Sequence, residues 1–461
     1  MQNLDTLMVL IAIATSRREI TRRLENQHSS DNGECKVMIS RNNILPTLLL
    51  VIAAVTLVNC APAVPCNVAG NGSGAARLHR SSSTNICGNS GGGGGTPTCS
   101  STLKPVQVLL SVDSKGAIQE YGIDSTTGAL TLMCNTATAA LGPIVAANNT
   151  FVYVLDQANG QSPARIFEFL IAHGNSGALA AVTGSPFILS ETITGNFSLV
   201  ADPLGRFIFV TNQANNDVHV LTIGQSGALT EAANSPFVVA NPDFIAINPA
   251  GNVAYVPDST DGNIFIFTLN STGQLGNNPN SQSPVIIGMG NNAPHFAVVH
   301  PNGNFLITAN ELTLSSFSID PNAANGGALT QIGGSPFSPG GAGDAQVAPL
   351  DFALDMSGKF LYVTPEGTVG AIPGFVSDNI VAFAFDTTAG GMTPVPMSPF
   401  ISSSTLDIVA NPLLEQMFIV TSNTSSVLFG VAPIDASGNL TLPTTSLAVT
   451  AEIHPVVVNI N

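Results

Sequence analysis

From about residue 105 to the end, the chain is a series of short apolar runs separated by Gly, Asn, Asp and Pro. One stretch shows the pattern. Phe197-Ser198-Leu199-Val200-Ala201 is apolar, and Asp202-Pro203-Leu204-Gly205 after it reads as a turn. Arg206-Phe207-Ile208-Phe209-Val210 is a second run, broken by the Asn-rich segment from Thr211 to Asp217. Val218-His219-Val220-Leu221-Thr222-Ile223 alternates, then Ser226-Gly227 turns the chain into Leu229, and Ser235-Pro236-Phe237 ends the unit. β-Branched and aromatic residues in such runs predict strands, and the residues between them predict turns. No helical periodicity of useful length occurs after residue 100.

This unit repeats. Its marker is a small-residue turn followed by Leu or Met: Thr127-Gly128-Ala129-Leu130, Ser176-Gly177-Ala178-Leu179, Ser226-Gly227-Ala228-Leu229, Thr272-Gly273-Gln274-Leu275, Gly326-Gly327-Ala328-Leu329, Ala389-Gly390-Gly391-Met392 and Ser437-Gly438-Asn439-Leu440. The last residues of these phrases are 49, 50, 46, 54, 63 and 48 positions apart. A period near fifty means one supersecondary unit in an array. The turn after the first strand recurs at Asn248-Pro249-Ala250-Gly251, His300-Pro301-Asn302-Gly303 and Asp355-Met356-Ser357-Gly358. The closing phrase recurs at Ser185-Pro186-Phe187, Ser335-Pro336-Phe337 and Ser398-Pro399-Phe400.

Four antiparallel strands arranged radially make a β-propeller blade, whereas a β-helix needs a much shorter rung. The first unit lacks an innermost strand, because Val106-Gln107-Val108-Leu109-Leu110 already reads as a second strand. Pro455-Val456-Val457-Val458-Asn459-Ile460 has the pattern of a first strand with nothing after it. The expected fold is therefore all-β: a seven-bladed β-propeller over 105–461, four antiparallel strands per blade, closed by the C-terminal strand joining blade one. Closure removes edges that would invite aggregation.

Residues 1–104 are different material. Ile44 to Val58 is an apolar run of 15 residues, short for a membrane span. Arg41 before it and Asn59-Cys60 after it suggest an export signal over 38–60. Cys60 is then the candidate for lipidation, in the manner of a bacterial lipobox, although Asn59 replaces the usual small residue. Cleavage after Ala61-Pro62-Ala63 is the alternative and gives a freely exported protein. Met38 reads as the natural start and 1–37 as an upstream extension. Residues 61–104, with five consecutive glycines at Gly91 to Gly95, read as a flexible tether. Cys66, Cys87, Cys99 and Cys134 are disulfide candidates with three possible pairings. None has zinc-ligand spacing.

Charge changes the picture of partners. Only four of the 13 cations fall in the propeller, namely Lys115, Arg165, Arg206 and Lys359, against 24 of the 29 acids. A balance near −20 repels nucleic acid. The expected partners are a small-molecule ligand or a protein at the channel face, with a membrane met only through an N-terminal lipid anchor. The expected oligomeric state is a monomer, no cofactor is implied, and no metal ligand is named. The location implied is the cell envelope, or a periplasmic or extracellular space.

In a propeller the start of each first strand and the end of each second strand converge on one face around the channel. The first set is Asp243, His295, Asp351 and Asp407; the second is Asp113, Asp156, Asp258, Asn310, Glu311 and Glu366. Asp and Asn also bond their own backbone in turns, so most of these have a bland reading too. Asp243, Asp258, Asn310, Asp351, Glu366 and Asp407 are the candidate rim residues for ligand binding. His300 reads as a turn residue, and His219, inside an alternating strand, as structural.

Blade five carries more. Asn291-Asn292-Ala293-Pro294-His295-Phe296 leads through His300-Pro301-Asn302-Gly303 into Asn310-Glu311-Leu312. This resembles the seven-bladed lactonases of the 6-phosphogluconolactonase and carboxymuconate-lactonising type, in which a Gly-Pro-Arg-His phrase, a His-Pro-Asp/Asn-Gly turn and an Asn-Glu-Leu phrase follow one another. The resemblance implies ring opening or closing of a lactone, with an arginine holding a carboxylate or developing oxyanion and a glutamate moving a proton. Glu311 matches that glutamate. The arginine position is His295 here, the histidine beside it is Phe296, and a further family histidine in blade three has no counterpart at Asn196-Phe197-Ser198.

Two functions follow. The missing arginine favours a degenerate lactonase-like module that binds a ligand or partner. The retained Glu311 favours a lactone hydrolase with an altered site, its catalytic candidates being Glu311 and His295. A glutamate beside an imidazole favours the charged ring, which can donate to an oxyanion. A Ca²⁺ site among the rim acids is a third, weaker idea. Blade six is longer, with excursions at Pro339 to Ala348 and Gly367 to Asp378 that suit a lid or a partner contact.

Overall fold

The seven phrases mark seven antiparallel sheets. The computed structural model describes residues 76–79, 98–99 and 105–460, apart from 139, 158–162, 174–177, 278–282, 322–325, 339–348, 366–378, 402–404, 423–426, 444–445 and 450–452. The export signal, Cys60, Cys66, Cys87, Glu366 and both excursions of blade six lie outside the described residues. No helix among the described residues is long and apolar enough to cross a membrane.

Blade three shows the plan. Phe197–Ala201 is innermost, followed outward by Phe207–Asn212, Asp217–Ile223 and Leu229–Glu231. Inner strands of blades two and four to seven are Ile144–Ala147, Ala246–Ile247, Pro294–Val299, Pro349–Leu354 and Thr405–Ala410. In blade one that place is taken by Ile453–Asn459, which pairs with Gln107–Val112 in the register Gln107↔Asn459 and Leu110↔Val456. The ring is thus closed by the C-terminal strand.

Two further pairings come from the front segment. Ala76–His79 lies along the inner strand of blade three, with His79 opposite Phe197. Thr98–Cys99 adds to the outer edge of blade one, where Cys99 stands opposite Cys134. Cys134 is disulfide-bonded.

In blades two to six the closing Ser-Pro phrase interrupts the outer strand. In blade three, Leu229–Glu231 pairs with 221–223, and Phe237–Val238 pairs with 217–218. Between them the Val220 N–H has lost its ladder partner and donates to Ser235 Oγ at 2.9 Å. Ser185, Ser283, Ser335 and Ser398 accept from Glu168, Ile266, Ser316 and Ala382 in the same way. A buried N–H must find an acceptor, and the hydroxyl supplies one where the strand does not. The Ser-Pro bonds at these five places are cis.

The glycine phrase joins neighbouring blades. Tyr153 Oη donates to Gly227 O at 2.9 Å, Tyr255 to Gly327 O at 3.0 Å and Tyr362 to Gly438 O at 2.9 Å. Each tyrosine belongs to the second strand of one blade, and each glycine to the blade that follows. The same glycines lie on the first residue or two of that strand: a Cβ on Gly227 would come 2.4 Å from the Phe151 ring, and one on Gly438 2.3 Å from Phe360. All three tyrosines are fully buried, so the phenol that is apolar along its ring needs a partner at its tip.

Candidate functional site

Antiparallel pairing sets Pro294, at the start of its inner strand, opposite Asn310, at the end of the next. The register slips between Pro294 and Phe296, which leaves His295 as the bulged residue. A bulge re-aims a side chain, and here it frees His295 from the alternation of its strand. Its Nε2 lies 2.6 Å from Glu311 Oε2 and its Nδ1 lies 3.3 Å from Asp243 Oδ2.

Asp243 precedes the inner strand of blade four and is fully buried. Its Oδ1 accepts from Asn196 Nδ2 at 3.0 Å and Gln213 Nε2 at 2.6 Å, and its Oδ2 accepts from the Ser259 N–H at 3.1 Å. A buried carboxylate with three donors is well satisfied and rigidly placed. Side-chain exposure falls along the row, from 42% at Glu311 through 15% at His295 to 0% at Asp243. The row therefore runs from solvent into the protein, across blades five, four and three.

Asn310 holds the outer end. It accepts from Thr308 Oγ1 and donates through Nδ2 to Thr313 Oγ1 and Ser315 Oγ, while Thr313 Oγ1 donates to Asn292 Oδ1. The Glu311 N–H donates to Ala293 O at 2.8 Å. Asn310 thus shapes the turn that presents Glu311. Phe296, next to His295, is part of the core, its ring centroid 4.2 Å from that of Phe244 and 4.7 Å from that of Phe352.

The remaining rim candidates separate from this row. Asp258 Oδ1 accepts from the N–H groups of Thr260 and Asp261, a turn role, and burial together with nearby acids holds its carboxyl above the usual range. Asp351 and Asp407 come after bulges of their own and pair with Thr364 and Val420, as Phe296 pairs with Ala309. They sit one residue deeper in their strands than His295. Asp351 Oδ2 accepts from the Ile408 N–H of the next blade. Asp113 accepts from Lys115, Ala117 and Gln119 within its own hairpin.

His300 does more than turn the chain: it is buried, its Nε2 lies 2.8 Å from Gly358 O, and its ring stacks on Phe385. Asn196 and Gln213 were not singled out as site residues from the sequence. The signal was present, since Asn212-Gln213 occupies in blade three the place of Asn310-Glu311 in blade five.

Neither arginine of the propeller serves the row. Arg165 pairs with Asp156, and Arg206 holds Asp202 and Gly251 O. Two surface cavities, of about 510 and 390 Å³, lie at blades seven and one and are lined by other residues.

Comparison with known proteins agrees with the fold. The sequence profile described as "Lactonase, 7-bladed beta-propeller" matches residues 107–454, and the chain belongs to that family. No curated protein matches it significantly. Among solved structures it resembles a periplasmic gluconolactonase of Pseudomonas aeruginosa, at a TM-score of 0.59 and 19% identity over 77% of this chain and 100% of the other. A candidate 6-phosphogluconolactonase from Bacteroides uniformis is similar at a TM-score of 0.60 and 18% identity, over 77% and 100%. Identities this low carry the fold alone.

Proposed function

We propose that the protein hydrolyses a lactone that carries no phosphate or carboxylate, at the Glu311–His295 pair. The observation behind this reading is the 2.6 Å contact between the two side chains, with the Asp243 carboxylate behind the ring. Glu311, the more exposed, takes a proton from water as the water oxygen attacks the lactone carbonyl. The charged His295 ring donates through Nε2 toward the oxyanion. Collapse then breaks the bond between the carbonyl carbon and the ring oxygen, and the ring oxygen takes the proton from Glu311, giving the open hydroxy acid. Positioned proton transfer contributes about 10²–10⁴-fold, and one oxyanion donor about 3 kcal/mol. A row with two carboxylates and no arginine disfavours anionic substrates.

The test is hydrolysis of sugar and aromatic lactones by the purified full-length protein, with Glu311→Gln alongside. Turnover that falls by about 10²-fold or more in the variant supports the reading. No turnover on any lactone with the fold intact leaves the second reading, a ligand- or partner-binding module, which the replacement of the family arginine by His295 favours.

Export belongs to the same proposal. It is supported by the signal-like segment 38–60 and by the disulfide at Cys134, since such bonds persist in oxidising compartments. Sequencing the mature N-terminus checks it: a lipidated Cys60 or a start after Ala63 is expected, and a start before Met38 overturns it.

A further inference from the structure

Blade three holds a second cluster of titratable groups that the proposed hydrolysis does not use. His219, in the third strand, is fully buried. Its Nδ1 lies 2.7 Å from Glu231 Oε1 and its Nε2 lies 2.6 Å from Glu191 Oε1. Asp217 Oδ1 is 3.9 Å from the same Nε2, and this oxygen is buried with no hydrogen-bond partner, on a residue only 7% exposed. Three carboxylates therefore face one imidazole, and a buried oxygen points into the group unsatisfied. An orphaned buried oxygen is costly and calls for an explanation, a bound ion among them.

We propose that His219 Nε2, Glu191 and Asp217 bind a first-row divalent metal ion, Zn²⁺ suiting this mixed nitrogen and oxygen set best. The three ligand atoms already lie within 4.8 Å of one another. Ligands on a tetrahedral Zn²⁺ at about 2.0–2.2 Å stand roughly 3.4 Å apart. The two distances from Nε2 here, 2.6 and 3.9 Å, bracket that value.

The surroundings are those of a supported site. Glu231 accepts from the Nδ1–H and also accepts from Ser235 Oγ at 3.0 Å, which leaves the Nε2 lone pair for the metal. Glu191 is fixed through its backbone, whose carbonyl accepts from the Ala164 N–H, and through Asn215, which donates to Oε2. Three protein ligands leave a position for water, the arrangement of an open rather than a closed zinc site.

The experiment is titration of chelator-stripped full-length protein with Zn²⁺ by calorimetry and with Co²⁺ by visible absorption, on wild type, Glu191→Gln, Asp217→Asn and Glu231→Gln. One equivalent of tight metal in wild type, lost in Glu191→Gln and Asp217→Asn, is the expected result, with Glu231→Gln weakened about 10–100-fold. The Co²⁺ complex should show d–d bands without thiolate charge transfer. Glu191 is a quarter exposed, so its variant tests the site even if Asp217→Asn fails to fold. No stoichiometric binding by wild type, equal binding by Glu191→Gln, or a thiolate spectrum from the N-terminal cysteines each overturns the proposal.

Discussion

Asp243 Oδ2 stands 3.3 Å from His295 Nδ1, and the two residues come from neighbouring blades that the chain reaches 52 positions apart. A buried carboxylate behind an imidazole fixes which nitrogen faces outward, here Nε2 toward Glu311. Asp243 is fully buried and stands behind the ring, which it positions. Asp243→Asn retains the side chain's shape and an acceptor for Asn196 or Gln213 but removes the charge. We expect kcat for lactone hydrolysis to fall by about 10-fold or more with KM little changed, and the pH profile to move, because the ring loses an anionic neighbour. Unchanged kcat and an unchanged profile would assign Asp243 to packing alone.

Burial has a second consequence far from the channel. Glu120, in the third strand of blade one, is fully buried, and desolvation raises its carboxyl to about 7 despite the Thr136 hydroxyl and the Leu179 N–H that bond it. A folded-state value above the unfolded one means that the folded chain holds the proton more tightly. Stability from this group is full below about pH 4.5 and declines as pH rises through about 7. Glu120→Gln keeps an acceptor without ever bearing charge. Against wild type it should gain stability between pH 5 and pH 8, with a ceiling of about 3 kcal/mol. Urea unfolding at the two pH values checks this; an equal difference at both would mean that Glu120 does not titrate across this range.

The fold was legible because every strand advertises itself locally, and because Pro455 to Ile460 was an apolar run left without neighbours. The meaning of the glycine phrase was not legible, since the partner of Gly227 is Tyr153, 74 residues away on another blade. Within the site, Glu311 and His295 could be named from one blade's sequence. Asp243 was named as a rim residue, but its place behind the ring depends on how blades four and five meet. Asp351 stands four residues before its turn at Asp355, whereas Asp243 and His295 stand five before theirs at Asn248 and His300, so Asp351 lies one residue deeper and it is His295 that falls on the bulge. Nothing in the residue types announces a bulge.

The inter-blade contacts predict where the ring is most sensitive. Gly227 has φ of +87° and its missing Cβ points at the Phe151 ring, so alanine there meets both a disfavoured backbone and a 2.4 Å clash. Gly227→Ala should cost about 2–4 kcal/mol, combining a left-handed alanine with overpacking. Tyr153→Phe, which leaves the Gly227 carbonyl without its donor, should cost about 1–2 kcal/mol. Chemical denaturation of both variants measures the order; a Gly227→Ala protein as stable as wild type would show that the blades can part without loss.

His295 occupies the position at which the resemblance to lactonases implies an arginine, and its neighbours Glu311 and Asp243 are both acidic. An arginine here would bring a permanent charge and a forked donor, which binds carboxylate and phosphate at two points. Hydrogen bonds to charged groups contribute about 1.5–3 kcal/mol, or roughly 10–100-fold. His295→Arg should therefore raise kcat/KM for an anionic lactone relative to a neutral one by that factor, chiefly through KM. Competition between a neutral and a phosphorylated sugar lactone reads the ratio directly. If the ratio stays at its wild-type value, the residue at 295 does not face the substrate, and the proposed preference for uncharged lactones cannot rest on it.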